Sequence, residues 1–180
     1  LKQYGVPVPD HIVVKTAAEA GKAAEKIGFP VVMKIYSPQI VHKSDAGGVI
    51  VSIPSKSAAE EAFEKIVKSA KAYNPEAEIK GVIVEQQAAP GLELIIGGKT
   101  DPAFGKVLTF GMGGTLVELM RDVTLRILPI TEETIREMIQ EIHGYPMIKG
   151  YRGTKPRDEE ALVQIMWAVN CFFAENPHVV

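Results

Sequence analysis

The sequence predicts an α+β fold. Three observations point there. Short β-branched runs such as Val31-Val32-Met33-Lys34-Ile35 and Val82-Ile83-Val84 read as strands. Between them lie Ala/Glu/Lys-rich stretches opened by helix-capping signals. The texture then changes after Ala88-Ala89-Pro90-Gly91, which divides the chain into an expected first lobe over residues 1–88 and a second over 89–180.

The elements follow in order. Leu1 to Pro9 is punctuated by Pro and Gly and reads as a lead-in from a preceding segment. Thr16-Ala17-Ala18-Glu19 is a capping box opening a helix that Gly28 closes. Pro30 to Tyr36 is an apolar strand, Ser37 to Gly48 a polar loop ending in two glycines, and Val49 to Ile53 a second strand. Ser57-Ala58-Ala59-Glu60 is a second capping box, with a helix to about Ala72, and Gly81 to Gln87 is a third strand. In the second lobe, Leu92 to Gly98 and Lys106 to Phe110 are strands around an Asp101-Pro102 turn. A glycine cluster, Gly111-Met112-Gly113-Gly114, comes next. Helices are expected over Thr131 to His143 and Asp158 to Ala174, the latter apolar enough to be buried. Asn176-Pro177 ends it, and His178-Val179-Val180 reads as the start of a strand.

Composition narrows the function classes. The chain has 180 residues, 46% of them hydrophobic and 23% charged, with a net charge of -2. No basic excess or charge block suggests nucleic acid. No apolar run is long enough to span a bilayer, and the start has no signal-like apolar core. The single cysteine, Cys171, rules out a disulfide framework within the chain and suits a reducing compartment. A soluble, cytoplasmic protein is expected. The four histidines lack metal-ligand spacing, and no CxxC, HExxH or GxSxG motif occurs.

Five features carry candidate chemistry. Lys34 sits in an apolar strand, where a charge calls for an anionic partner. An exposed strand face would serve it equally well. The loop Ser37 to Gly48 gathers His42, Lys43, Ser44 and Asp45 ahead of Gly47-Gly48. Glycine-rich connections bring backbone N–H groups to phosphates, but the P-loop spacing is absent and an ordinary hairpin explains the pattern as well. Glu85 ends an apolar strand and Glu93 follows shortly after; a nucleotide base and ribose could meet them, as could solvent. Phe110 to Thr115, with Glu118, Arg121, Asp122 and Arg126 behind it, combines close backbone approach with two guanidinium forks suited to phosphate. A tight surface loop fits the same residues. Glu175-Asn176-Pro177 offers an oxygen donor of the type Mg²⁺ accepts, or plain helix termination.

The order of these features resembles one family. Lys34 in a strand, then Ser-Pro-x-x-x-His-Lys-Ser-Asp-x-Gly-Gly-Val, is similar to the signature of ADP-forming acetyl-CoA and related acyl-CoA synthetases. Asp101-Pro102-x-Phe104-Gly105, Phe110-Gly-x-Gly-Gly114, Asp122-Val123, Arg126 and the closing Glu-Asn-Pro continue the likeness over the whole chain. The nucleotide-binding subunit of succinyl-CoA synthetase is a more distant likeness. The resemblance implies an ATP-grasp fold, with two α+β lobes clasping ATP or ADP and Mg²⁺. It implies Lys34 on the nucleotide phosphates, with Lys43, Gly47, Gly48 and Arg126 contributing to phosphate binding. Glu85 would lie beside the adenine, Glu93 on the ribose, and Asn176 on Mg²⁺. His42 would receive a phosphoryl group from a partner subunit and deliver it to ADP. A CoA-binding alpha subunit is the implied partner, in a hetero-oligomer. Lys106 departs from the family, where proline is common, and no effect is expected of it. A second, aspartate Mg²⁺ ligand is expected on a strand beyond Val180. Two other readings stay open: an ATP-grasp carboxylate–amine ligase, and a non-catalytic ATP-grasp-like regulatory domain of an acetyltransferase.

Overall fold

The computed structural model describes residues 1–114 and 121–179. The chain forms two compact units, one of Pro9–Ala89 and one of Leu1–Val8 with Pro90–Val180.

The Pro9–Ala89 unit runs β1 (His11–Val14), α1 (Ala17–Ile27), β2 (Val31–Tyr36), β3 (Val49–Ile53), α2 (Lys56–Tyr73) and β4 (Gly81–Gln86). Its sheet has the order β1-β4-β2-β3, with every neighbouring pair antiparallel. Both helices start on side-chain caps. Thr16 Oγ1 accepts from Glu19 N at 3.2 Å, as the capping box predicts. For α2 the cap is Ser55, which accepts from Ala58 N at 3.3 Å, and not the expected Ser57. Ser55 has the extended backbone of a cap (φ -152°), so Ser57 already lies inside the first turn. Buried alanines on both helices, among them Ala20, Ala24, Ala59 and Ala62, share one core with Val31, Met33, Ile35, Val82 and Val84 of the sheet. β1 was not anticipated; it has only four residues and begins two positions after Pro9.

In the other unit, β5 (Leu94–Asp101), β6 (Gly105–Met112) and β7 (Val123–Ile127) form an antiparallel meander. The helices α3 (Glu132–Glu141), α4 (Tyr145–Lys149) and α5 (Glu159–Glu175) follow. Leu108, Phe110 and Met112 of β6 build the core with Ile135, Met138 and Ile139 of α3, Ile148 of α4, and Val163 and Met166 of α5. Two elements, β7 and α4, are absent from the sequence expectation. β7 alternates an exposed apolar row (Val123, Leu125, Ile127) with Thr124 and Arg126, a period of two that was passed over. α5 is buried on one face only; Trp167 remains 36% exposed despite the apolar composition. The strand expected at His178 is instead a turn, with Val179 N donating to Asn176 O at 3.1 Å.

Leu1–Val8 were expected in the first lobe, yet they belong with the second unit. Tyr4, in a single 3₁₀ turn (Lys2–Tyr4), explains this. Its ring meets Phe172 of α5 edge-on at 5.4 Å, and its hydroxyl donates to Glu175 Oε2 at 2.7 Å. Among the described residues no helix is long and apolar enough to cross a membrane.

Candidate functional site

In the Pro9–Ala89 unit the strand lysine finds its anion within the protein. Lys34 Nζ on β2 donates to Glu85 Oε1 on β4. The register pairs Lys34 with Ile83 and Glu85 with Val32, so the two side chains meet diagonally on one sheet face. Both are partly exposed, at 37% and 21% of their side chains, so the pair is open to an incoming ligand. Expectation had Lys34 on phosphates and Glu85 beside a base; the structure brings the two into direct contact.

The loop after β2 is a folded unit. Its backbone closes on itself through Lys43 N to Val41 O (3.1 Å), Ala46 N to His42 O (3.3 Å), Gly47 N to Ser44 O (3.0 Å) and Gly48 N to Lys43 O (2.7 Å). Ile40 and Ala46 are buried in the core and anchor it. In this conformation the Gly47 and Gly48 amides, which the resemblance placed on phosphate, both donate inside the loop. The glycines also serve shape. A Cβ on Gly48 would fall 2.5 Å from Ile35 Cγ2 and 2.9 Å from Lys43 O. Gly47 adopts φ 61°, in the left-handed region. His42 is exposed, and among the described residues neither its ring nor the Lys43 ammonium has a partner. Gln87, at the end of β4, binds Ser52 twice, accepting from its N at 2.6 Å and donating to its Oγ at 3.2 Å. That holds Ser52 at φ 56° next to an irregularity in the β2–β3 register.

In the second unit, Glu93 precedes β5 and lies against the glycine cluster. Gly113 N donates to Glu93 O at 2.8 Å, and a Cβ on Gly114 would fall 2.6 Å from Glu93 Oε2. The close approach these glycines permit is therefore to Glu93 of the same unit. Thr115 and Glu118 lie outside the described residues.

Arg126 lies on β7. It shares a strand face with buried Thr124, whose hydroxyl reaches Phe110 O and Met138 O. Strand alternation turns Arg126 the same way. Its guanidinium meets Glu141 of α3 and donates to Leu125 O at 3.0 Å. Like Lys34, which the resemblance also placed on phosphate, it holds a carboxylate of its own unit. Arg121 is exposed at φ 47°.

Asp122 is a structural lock that the motif did not reveal. Only 6% exposed, it accepts from His143 N at 2.7 Å and Gly144 N at 2.7 Å. Burial alone pushes its carboxyl up. The two backbone donors and the His143 ring at 3.2 Å outweigh that and hold it below the usual carboxylate range.

Asn176 caps the C-terminus of α5. Its Nδ2 donates to Phe172 O at 2.7 Å and Tyr4 Oη at 3.2 Å, which leaves Oδ1 to meet a ligand. A carboxamide oxygen is the hard, neutral donor that Mg²⁺ accepts, with water and substrate phosphates supplying the other positions. Among the described residues no three His, Cys, Asp or Glu side chains cluster as a further metal site. Lys106, expected to have no effect, donates to Phe173 O and to Asn176 O at 3.1 Å.

Comparison with known proteins identifies the family. Residues 1–180 match the ATP-grasp domain family. The chain is 49% identical over 170 residues to the beta subunit of acetate–CoA ligase [ADP-forming] II from Pyrococcus furiosus, covering 94% of this chain and 72% of the relative. It is 51% identical over 158 residues to 4-hydroxybutyrate–CoA ligase [ADP-forming] from Nitrosopumilus maritimus, covering 88% of this chain but only 23% of that longer protein. Among solved structures, the dinucleotide-forming acetyl-coenzyme A synthetase 1 of Ca. Korarchaeum cryptofilum, in complex with coenzyme A and Ca-AMPCP, superposes with TM-score 0.93 at 43% identity, covering 97% of this chain and 76% of that one. The same enzyme with Mg-AMPPCP, its phosphohistidine segment pointing towards the nucleotide-binding site, gives TM-score 0.81 at 39% identity, covering 97% and 75%. The chain belongs to the ATP-grasp family, and within it to the ADP-forming acetate–CoA ligase beta subunits.

Proposed function

We propose that this chain is the nucleotide-binding subunit of an ADP-forming acyl-CoA synthetase, catalysing acyl-CoA + ADP + phosphate ⇌ carboxylate + ATP + CoA together with a CoA-binding alpha subunit. The observation that carries the reading is His42: an exposed imidazole with no protein partner among the described residues, on a loop whose backbone is tied down on both sides of it. A histidine held for structure would be hydrogen-bonded. Neutral imidazole near pH 7 is a competent phosphoryl acceptor.

The chemistry runs in balanced steps. Phosphate displaces CoA from the thioester to give an acyl phosphate, and a histidine of the partner takes the phosphoryl group as the carboxylate leaves. A His42 ring nitrogen then attacks phosphorus while the partner's imidazole departs. An oxygen of the ADP β-phosphate finally breaks the P–N bond to His42, giving ATP. Lys43 beside His42 offsets the charge of the phosphoryl group in transit. Lys34 faces the nucleotide phosphates once they compete with Glu85 for its ammonium. Glu85 lines the base and Glu93 accepts from the ribose hydroxyls. Asn176 Oδ1 would hold Mg²⁺, which when bound neutralises phosphate charge. Positioning and charge stabilisation supply most of the catalysis in phosphoryl transfer. These substrates and the single cysteine favour a cytoplasmic setting.

Thioester-dependent ATP formation tests the reading. The chain combined with its alpha subunit, supplied with ADP, phosphate, Mg²⁺ and a panel of acyl-CoAs, should form ATP from at least one of them. The chain alone should form none. Turnover by the chain alone would contradict the two-subunit mechanism.

A further inference from the structure

The C-terminal end of α5 is held from two sides by residues that no part of the mechanism uses. Tyr4 comes from the opposite end of the chain and Lys106 from β6. We propose that Tyr4 and Lys106 are positioning residues that fix Asn176 and present its Oδ1 to the metal of a bound nucleotide. The inference rests on the reading of Asn176 as a metal ligand.

The physical need is local. The last turn of a helix leaves carbonyls unpaired and concentrates negative partial charge. Lys106 answers both. Its ammonium donates to Phe173 O, to Ala174 O at 3.4 Å and to Asn176 O at 3.1 Å, and it lies 5.0 Å from the centre of the Phe173 ring. A proline at this position has no donor to offer them. Lys106 therefore fixes where the backbone of Asn176 sits.

Tyr4 fixes how the side chain points. The Asn176 amide has two hydrogens, and both are used: one on Phe172 O at 2.7 Å and one on Tyr4 Oη at 3.2 Å. The hydroxyl that accepts from Asn176 also donates to Glu175 Oε2 at 2.7 Å. The ring is located by its edge-on contact with Phe172. With Nδ2 saturated and the backbone pinned, the carboxamide cannot turn over without losing two hydrogen bonds. Groups of this kind behind a metal ligand commonly set metal affinity.

The test compares wild-type protein with Tyr4→Phe, Lys106→Met, Lys106→Arg and Asn176→Ala, all in the full chain. Tyr4→Phe keeps the ring on Phe172 and removes only the hydroxyl. ADP affinity is measured by calorimetry in Mg²⁺ and in EDTA, and Mn²⁺ binding to the protein–ADP complex by paramagnetic resonance. Wild type should bind ADP more tightly with metal, and Asn176→Ala should abolish that difference. Tyr4→Phe and Lys106→Met should each weaken Mn²⁺ binding about tenfold, with ADP affinity in EDTA unchanged. Lys106→Arg, which retains a donor, should restore it. Wild-type Mn²⁺ affinity in Tyr4→Phe and Lys106→Met would overturn the inference. So would an equal loss of ADP affinity with and without metal, which marks a purely structural role. Persistence of metal dependence in Asn176→Ala would instead remove Asn176 as a ligand, and the positioning role with it.

Discussion

Lys34 and Glu85 occupy one face of a four-stranded sheet, and the lysine ammonium donates to the glutamate carboxylate across β2 and β4. On the proposed reading, an incoming nucleotide meets this pair already formed. Its phosphates would then draw the ammonium from the carboxylate, and the lysine would be pre-oriented at a modest cost in competition.

Replacing Lys34 with Met retains most of the bulk and removes the charge. ADP and ATP affinity should fall about tenfold, near 1.4 kcal/mol, with the thermal midpoint little changed, because the pair is partly solvated. Calorimetry checks this. Unchanged affinity would remove Lys34 from the site.

Gly48 sets the geometry under His42. A Cβ there would fall 2.5 Å from Ile35 Cγ2 and 2.9 Å from the Lys43 carbonyl, and the second neighbour is backbone that cannot step aside cheaply. Gly48→Ala should cost about 1–3 kcal/mol in stability by overpacking, read by denaturant titration. It should also slow phosphoryl transfer through His42 more than it weakens ADP binding.

Asp122 predicts a pH effect of defined sign. Its folded carboxyl lies below the ordinary range. The stability it contributes is therefore present above the unfolded pKa, about 3.9, and is lost as pH falls through the lower folded value. Asp122→Asn leaves a backbone N–H of His143 or Gly144 facing an amide NH₂, and should cost about 1–3 kcal/mol at pH 7. The gap between variant and wild type should narrow at pH 3 and below. A gap independent of pH would mean that the charge of Asp122 is not what stabilises this corner.

Much of the fold was legible because local chemistry dictates it. Thr16 caps α1 as read, and the runs at Val31 and Val82 are strands because their apolar residues are buried in the sheet. The misses have local causes too. Ser57 has the capping-box spacing to Glu60 and Ser55 does not, yet the extended backbone at Ser55 makes it the cap. β7 was obscured because Asp122 and Arg126 drew attention as ligand candidates, when one locks a corner and the other pairs with Glu141. The site was legible as a set of residue types but not as a set of partners. Lys34 and Glu85 are 51 positions apart, and Tyr4 and Glu175 are 171 apart. Nothing in the sequence pairs them; the topology does. The backbone bonds of Gly47 and Gly48 were not legible because a glycine-rich loop that cradles an anion and one that closes on itself share a composition.

The claim on which the account turns is that His42 carries the phosphoryl group to ADP. Its direct test is ATP formation by His42→Ala in the assembled complex, with phosphate incorporation into the partner subunit followed in parallel. His42→Ala should bind ADP with wild-type affinity and leave phosphorylation of the partner histidine intact, yet form ATP at no more than background rate. Near-normal ATP formation would show that the partner histidine hands phosphate to ADP directly and that His42 is not a relay.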